Sequence, residues 1–280
     1  MRAIILSLSI LIGLTLRTEA EDVLIFEGRI EAVERAQIYS RAEGRVSEVL
    51  ATAGMRVEAG AVLARLEADL ATLEVEAAQA ELDRQDALLQ RAQDRLDRAE
   101  RLSQSGSSSA VALIDAKTDL DLAEAEHRMA VVALDRARIA LSDTDIRATQ
   151  SGIVERVQVG VGALLEFDAG LPPLFEIIDL DPVRVVYDVP YQDRLEQMAR
   201  LGVTHSDDLL RRVRLELRLE DGTVLAQGVT PEATSVRVEE DSASLKVWAN
   251  VPNPDALLRP GMRVIVQSTI TSEGEDGLNQ

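Results

Sequence analysis

Residues able to perform catalysis are few in this sequence of 280 residues. It contains two histidines, His127 and His205, and no cysteine, which excludes disulfides, thiol catalysis, cysteine zinc sites and a lipoprotein anchor cysteine. No nucleophile, histidine and acid can be combined into a triad, and the glycine-rich phosphate-binding motifs are absent. We therefore predict no enzymatic activity, no cofactor and no metal site.

Three residues, Arg98, Leu102 and Ser109, have types and spacing suited to contact with another protein. They lie in the stretch RAERLSQSGSSSAVALIDAK. Arginine is always charged and offers five donors to the backbone carbonyls of a partner. Leu102 falls one residue before the heptad position at Ser103, so it can face outward. Each has a plainer interpretation: Arg98 as a solvated coiled-coil residue, Leu102 as hairpin core and Ser109 as a helix N-cap.

The elements that must hold these residues are two long helices. A helix-forming sequence without Gly or Pro runs from about Asp69 to Gln104, and a second one begins near Ala110. A connection of about six residues predicts antiparallel neighbours, each about 50 Å long at 1.5 Å per residue. Apolar residues recur every seven positions and alternate with alanine, as in a coiled-coil seam. The predicted seam residues are Val75, Ala78, Leu82, Gln85, Leu89, Ala92, Leu96 and Ala99, then Leu113, Ala116, Leu120, Ala123, His127, Ala130, Leu134, Ala137 and Leu141.

His127 is a polar residue within this seam. We expect it to face Leu82 and Gln85, most simply as a histidine hydrogen-bonded to Gln85. A pH sensor is the alternative, because a neutral imidazole beside an apolar seam gains charge as pH falls through about 6.5.

The segments on either side of the hairpin resemble each other. EGRVSEVLATAGMRVEAGAVLARLE can be aligned with SGIVERVQVGVGALLEFDAGLPPLFEI. An internal repeat split by an insertion predicts two halves of one small β-sandwich that meet at the base of the hairpin. The aligned pairs are Gly44 with Gly152, Val46 with Val154, Val49 with Val157, Gly54 with Gly162 and Val57 with Leu165.

The residues after Asp181-Pro182 predict a small antiparallel β-barrel. Runs rich in β-branched residues are separated by turn signals such as Asp221-Gly222 and Pro260-Gly261. One short helix is expected over residues 192–201, and the stretch VTHSDD is interpreted as a solvated loop. The predicted strands cover residues 183–189, 213–219, 224–228, 244–251 and 262–270.

Charge and the N-terminus limit the class of partner and the location. The net charge is −19, from 49 acids against 30 bases, and such a surface repels phosphate backbones, so nucleic acid is excluded as a partner. Arg2 and the apolar run Ala3–Leu16 form a secretory signal pattern with a cleavage site after Ala20. An uncleaved N-terminal anchor is the alternative.

This arrangement resembles the periplasmic adaptor family, also called membrane fusion proteins, of Gram-negative tripartite efflux pumps, including adaptors of resistance–nodulation–division (RND) type. The split lipoyl-like repeat, the stretch NPDALLRPGMRVIV and the spacing of Arg98, Leu102 and Ser109 carry the resemblance. It implies a periplasmic protein, associated with the inner membrane, that links an RND or ABC transporter to an outer-membrane channel and serves the export of small molecules. It also implies assembly into a ring, trimeric or hexameric, and docking of the channel by Arg98, Leu102 and Ser109.

Two departures from related families affect this interpretation. Lipoyl and biotinyl carriers present a lysine between their half-repeats, but Lys117 and Lys246 do not lie in such a turn, so we expect a scaffold without a covalent cofactor. Family members usually continue past the barrel into a membrane-proximal domain. Only TSEGEDGLNQ follows Ile270, so we expect that domain to be missing or reduced.

The predicted fold is mixed α and β and elongated, with a β-barrel domain, a split lipoyl-like β-sandwich and an antiparallel coiled-coil hairpin. Two other functions stay open: an envelope coiled-coil structural protein, and a carrier-like partner of an enzyme complex. The predicted limits are 1–20 for the signal peptide, 21–37 for N-terminal strands joining the barrel, 38–68 and 142–180 for the sandwich halves, 69–141 for the hairpin, 181–271 for the barrel and 272–280 for a disordered tail.

Overall fold

The computed structural model describes residues 23–104, 110–166, 172–239 and 241–271. The chain divides into a hairpin unit, residues 34–180, and a barrel unit, which combines the residues up to 33 with those from 181 onward. The predicted signal peptide and tail lie outside the described residues, and the predicted domain limits stay predictions. In chain order the elements are β1 (Leu24–Ala32), β2 (Arg35–Ile38), β3 (Gly44–Val49), β4 (Arg56–Val57), β5 (Val62–Leu66), α1 (Asp69–Gln104), α2 (Ala110–Ser142), β6 (Asp145–Arg147), β7 (Gly152–Val157), β8 (Leu164–Leu165), β9 (Phe175–Ile178), β10 (Val183–Pro190), α3 (Tyr191–Leu201), α4 (Ser206–Arg212), β11 (Val213–Arg218), β12 (Val224–Val229), β13 (Ala233–Thr234), β14 (Ser244–Val251) and β15 (Arg263–Ile270).

The barrel unit is built on a seven-stranded antiparallel sheet in the order β12-β11-β15-β1-β10-β14-β13. Alternation of side chains explains its two faces. In β10, Val183, Val185, Tyr187 and Val189 are buried, whereas the residues between them are more exposed. The same pattern in β14 and β15 gives the sheet one apolar face and one polar face. The apolar face forms a core that also includes Ile30, Leu215, Leu217, Val247, Ala249, Val251, Val264 and Val266.

Two short helices cover part of this core. The helix predicted over residues 192–201 is observed as α3, which ends at Gly202 in the left-handed conformation. Buried Arg194 donates from Nη2 to the carbonyl oxygen of Ser206, 3.4 Å away, and its burial lowers the pKa of the guanidinium. The prediction of a solvated loop at VTHSDD is partly wrong, because α4 begins at Ser206 and buries Leu209 and Leu210. With only seven residues, α4 is too short to show a helical period in the sequence.

The β-sandwich of the hairpin unit consists of two four-stranded sheets, β2-β9-β7-β4 and β6-β5-β3-β8. Each sheet takes strands from before and after the hairpin, so neither half of the repeat is complete alone. The aligned halves make matching backbone hydrogen bonds between strands of the same sheet, one set in each sheet. The two sets are Val46 N–H to Ala163 O with Gly162 N–H to Val46 O, and Val154 N–H to Met55 O with Gly54 N–H to Val154 O, all between 2.8 and 2.9 Å.

Gly44 and Gly152 occupy equivalent positions of the repeat but have different surroundings. Their φ angles, +153° and +158°, are nearly equal. A Cβ on Gly152 would lie 2.5 Å from the carbonyl oxygen of Ile178 and 2.9 Å from Cγ2 of Ile177. A Cβ on Gly44 would meet only Leu66, at 3.7 Å. The two glycines therefore have nearly the same φ angle but differ in the space available for a side chain.

Gly152→Ala should lower the free energy of unfolding by about 2–3 kcal/mol, because a backbone carbonyl cannot move away as a flexible side chain can. Gly44→Ala is the matched control, since it shares the backbone conformation without the close contact, and its loss should be clearly smaller. Chemical denaturation of both variants checks this expectation. Equal losses would show that backbone conformation, and not the contact with Ile178, requires glycine here.

The two long helices form the predicted coiled-coil hairpin. All predicted seam positions are buried or half-buried, and fully buried ones include Ala92, Ala116, Ala123 and Ala130. Small alanine side chains in the seam let the two backbones approach closely. The helix limits agree with the sequence prediction, and residues 105–109 between them lie outside the described residues.

Candidate docking surfaces of the helical hairpin

Contacts between α1 and α2 show that the helices are antiparallel. Residues late in α1 contact residues early in α2, and residues early in α1 contact residues late in α2. The contacts are an ion pair between Arg95 and Asp119, a 2.8 Å contact between Asp86 Oδ1 and His127 Nε2, and a 3.2 Å hydrogen bond from Arg138 Nη2 to Gln79 Oε1. The end of α1 at Gln104 and the start of α2 at Ala110 therefore lie at the same end of the hairpin.

A polar layer interrupts the seam around His127. The predicted bond from His127 to Gln85 is wrong, because the ring contacts Asp86 instead. Gln85 is 5% exposed and donates from Nε2 to Glu81 Oε1 at 2.8 Å, while its own Oε1 is buried without a hydrogen bond. Hydrogen bonds from Arg84 and from Gln85 lower the pKa of the Glu81 carboxyl to about 2. Such a layer fixes the register of two helices at a cost in stability.

Gln85→Leu should stabilise the hairpin, because it removes a buried acceptor that has no partner. A gain of about 1–2 kcal/mol is expected, seen as a higher melting temperature of the helical circular dichroism signal. Gln90→Leu is the control, since Gln90 is exposed on the same helix and should change the melting temperature little. A lower melting temperature for Gln85→Leu would contradict the assignment of Gln85 to the seam.

The residues predicted to dock a channel lie at the end of α1. Arg98 is exposed, and Leu102 is 51% exposed while its neighbour Ser103 is half-buried in the seam. Leu102 therefore faces outward, as its heptad position predicted, and does not belong to the hairpin core. Ser109 lies outside the described residues. That these three residues dock a channel stays a prediction.

The outward face of α2 carries a second apolar stripe that our reading of the sequence missed. It runs along the helix on the side opposite the seam, and we call it the α2 stripe. Two pairs of its members, Leu122 with Met129 and Val132 with Ile139, are seven residues apart, which was a signal available in the sequence. Contiguous exposed apolar side chains mark a site of interaction with another protein, a membrane or a ligand. Its members and their exposed fractions are Val111 (65%), Ile114 (62%), Leu122 (59%), Met129 (66%), Val132 (50%) and Ile139 (60%).

The outward face of α1 differs from that of α2. It presents leucine at its start, at Leu70 and Leu73, then alanine at Ala80 and Ala87, and arginine toward the tip. Within the described part of the chain, Arg91, Arg98 and Arg101 form no ion pair within 4.0 Å. The hairpin therefore has two unlike outward surfaces. Two copies that pack side by side through these surfaces form a heterologous interface, in which the α2 surface of one copy meets the α1 surface of the next. Repetition of such an interface closes into a ring when the rotation between copies permits.

Comparison with known proteins shows which proteins the chain resembles. No family model matches the chain. BepD, an efflux pump periplasmic linker of Brucella suis, is 30% identical over 242 residues, which cover 85% of this chain and 60% of BepD. AcrA, a multidrug efflux pump subunit of Escherichia coli, is 30% identical over 166 residues, or 59% of this chain and 40% of AcrA. A MacA-MexA chimera that contains the Pseudomonas aeruginosa MexA α-hairpin matches the fold with a TM-score of 0.62, at 20% identity over 90% of this chain and 80% of the chimera.

The chain is similar in sequence to efflux pump periplasmic linkers and similar in fold to membrane fusion proteins. The resemblance and the fold class predicted from the sequence are confirmed. The chain spans less than two thirds of the length of BepD or AcrA.

The described parts of the chain offer no other candidate among the kinds of site that the sequence raised. Lys117 lies within α2 and Lys246 within β14, so neither occupies a turn between strands of the sandwich. No group of three acidic or histidine side chains in the described ranges is placed to hold a metal ion. None of the helices that the structure describes has the length and apolarity to cross a bilayer. The hairpin surfaces are thus the candidate functional site of this chain.

Proposed function

We propose that the chain is the adaptor subunit of a tripartite efflux system, located in the periplasm and associated with the inner membrane. It links an inner-membrane transporter to an outer-membrane channel, and the assembly exports small molecules. The α2 stripe carries this proposal. The helix α2 is apolar on two faces, and α1 covers only the seam, so the α2 stripe needs a second neighbour. The names of BepD, a periplasmic linker, and AcrA, a pump subunit, support the same role.

The hairpins pack side by side in this proposal. The α2 stripe of one copy meets the part of the α1 outward face that carries Ala80 and Ala87 on the next copy, and repetition closes a ring. The tips then lie together at one end, where Arg98, Leu102 and Ser109 reach the channel. Each tip contact can be weak, since assembly raises the effective concentration of the neighbouring tips. Substrate choice rests mainly with the transporter.

Deletion of the gene, followed by complementation, tests the role. An adaptor predicts greater sensitivity to a defined set of toxic compounds and slower efflux of a fluorescent substrate, both restored by the intact gene. A general loss of envelope integrity without selectivity among compounds would favour a structural coiled-coil protein instead. A mass increase on the purified chain, corresponding to a covalently attached group, would favour the carrier-like alternative.

A further inference from the structure

A pocket of about 360 Å³ lies at the base of the hairpin, where the last turns of α2 meet the loop between β2 and β3. Its apolar lining consists of Ala42 from the loop and of Ile139 and Ala140 from α2. Ile139 is also the last member of the α2 stripe, so the pocket continues the stripe as far as the sandwich. A neighbour that covers the stripe along its length therefore also meets this pocket.

The charged residues around the pocket are balanced in number. Arg41 and Arg136 line it together with Glu43 and Asp143. Among the residues that the structure describes, neither arginine forms an ion pair within 4.0 Å, whereas Glu43 has an interaction partner of its own. Two positive and two negative groups around an apolar floor suit an apolar side chain better than an ion, because burial of a charge is costly.

Apolar side chains that could fill the pocket stand at the start of α1. Leu70 and Leu73 are 77% and 59% exposed on its outward face. Strand pairing fixes their height, because Arg65 of β5 lies opposite Asp145 of β6. The helix α1 begins four residues after Arg65, and α2 ends three residues before Asp145, so both leave the sandwich at the same level. In a second copy that stands alongside and points the same way, Leu70 is therefore level with the pocket.

The charges along the two helices favour copies that point the same way. Near the base, residues 69–83 of α1 carry five acids and no base, and residues 128–142 of α2 carry three arginines and one acid. Toward the tip, residues 84–104 carry five arginines and four acids, and residues 110–127 carry five acids and one lysine. Copies that point the same way bring opposite charges together at both ends. Copies that point in opposite directions bring two acidic segments together, which costs affinity.

We propose that the pocket receives Leu70 from a neighbouring copy of this chain. The leucine leaves water for the apolar floor, and the adjacent Asp69 comes with it toward Arg41 and Arg136. Asp69 is exposed and forms no ion pair within 4.0 Å in the described part of the chain. This inference rests on the proposed packing of hairpins side by side. It adds the contact that sets the height of one copy relative to the next.

Disulfide cross-linking between two copies tests this contact, because the chain has no cysteine of its own. One copy carries Leu70→Cys and a second copy, with a different epitope tag, carries Ala140→Cys. Both are expressed in the deletion strain, which is then treated with a mild oxidant. The control pair is Leu70→Cys with Val111→Cys, which is exposed at the other end of α2. We expect a dimer with both tags, in a yield at least about tenfold above the control pair, since a disulfide requires Cα atoms within about 7 Å.

Two results would overturn the proposal. A dimer from the Val111→Cys pair and not from the Ala140→Cys pair would show that neighbouring hairpins point in opposite directions. No dimer from either pair would show that copies do not meet at this pocket. Efflux from the same strains separates these results from a failure of the proposed function, because only a deletion strain with unimpaired efflux contradicts the adaptor role. Circular dichroism of each purified variant shows that it is folded.

Discussion

A triple variant with Leu122→Ser, Met129→Ser and Val132→Ser is expected to lose both self-association and export while its hairpin stays folded. The three side chains are between 50% and 66% exposed, so the isolated chain loses little packing when they are shortened. Their burial between copies is worth about 1.5 kcal/mol each, or roughly 4.5 kcal/mol at one interface. That loss weakens association about a thousandfold. Sedimentation velocity measures the association, and efflux from a complemented deletion strain measures export.

A matched control for this variant lies in the barrel unit. Val236 and Leu257 are 102% and 71% exposed, and serine at these two positions removes a similar kind of apolar surface outside the hairpin. This control should associate as the unaltered chain does. Normal association and normal export by the triple serine variant would show that the α2 stripe is not the interface between copies.

Arg98→Asp is expected to reduce export to the level of the deletion strain while association remains normal. The change replaces five donors by a carboxylate, which repels the backbone carbonyls that the arginine is proposed to contact. Arg98 is exposed and makes no ion pair within the described part of the chain, so helix content and melting temperature should change little. Efflux measurements and circular dichroism on the same variant check both expectations.

Arg91→Asp is the control for that change, because Arg91 lies seven residues earlier on the same outward face and is also exposed. It should retain most of the export activity if docking is confined to the tip. Unchanged export by Arg98→Asp would end the proposed role of this residue in docking. An equal loss from both variants would place the important charge along the whole helix face instead.

The parts of the fold that depend on local periodicity could be predicted from the sequence. The heptads set the limits of α1 and α2, since a repeat of apolar residues every seven positions has no other common explanation over this length. The aligned glycines Gly54 and Gly162 likewise indicated the split sandwich, and both have a φ angle of +86° in the structure. These signals lie within short stretches of chain and need no knowledge of distant contacts.

The parts that depend on partners distant in sequence could not be predicted in the same way. The heptad phase placed His127 opposite Gln85, but which side chain it contacts depends on the offset between helices, and Asp86 lies nearer to its Nε2. The like-charge pair of Arg29 and Arg263 depends on the pairing of β1 with β15, which are far apart in the chain. The α2 stripe is a different case, because its spacing is local and a search for a second seam could have found it.

Photo-cross-linking from the α2 stripe tests the central claim most directly. A photoreactive amino acid replaces Met129 in the chain expressed in cells, and ultraviolet light then captures whatever lies against the outward face of α2. Adducts of twice the mass of the chain, joined at residues of the outward face of α1, are the expected result. Efficient labelling that yields no adduct between two copies of the chain would contradict side-by-side packing of the hairpins.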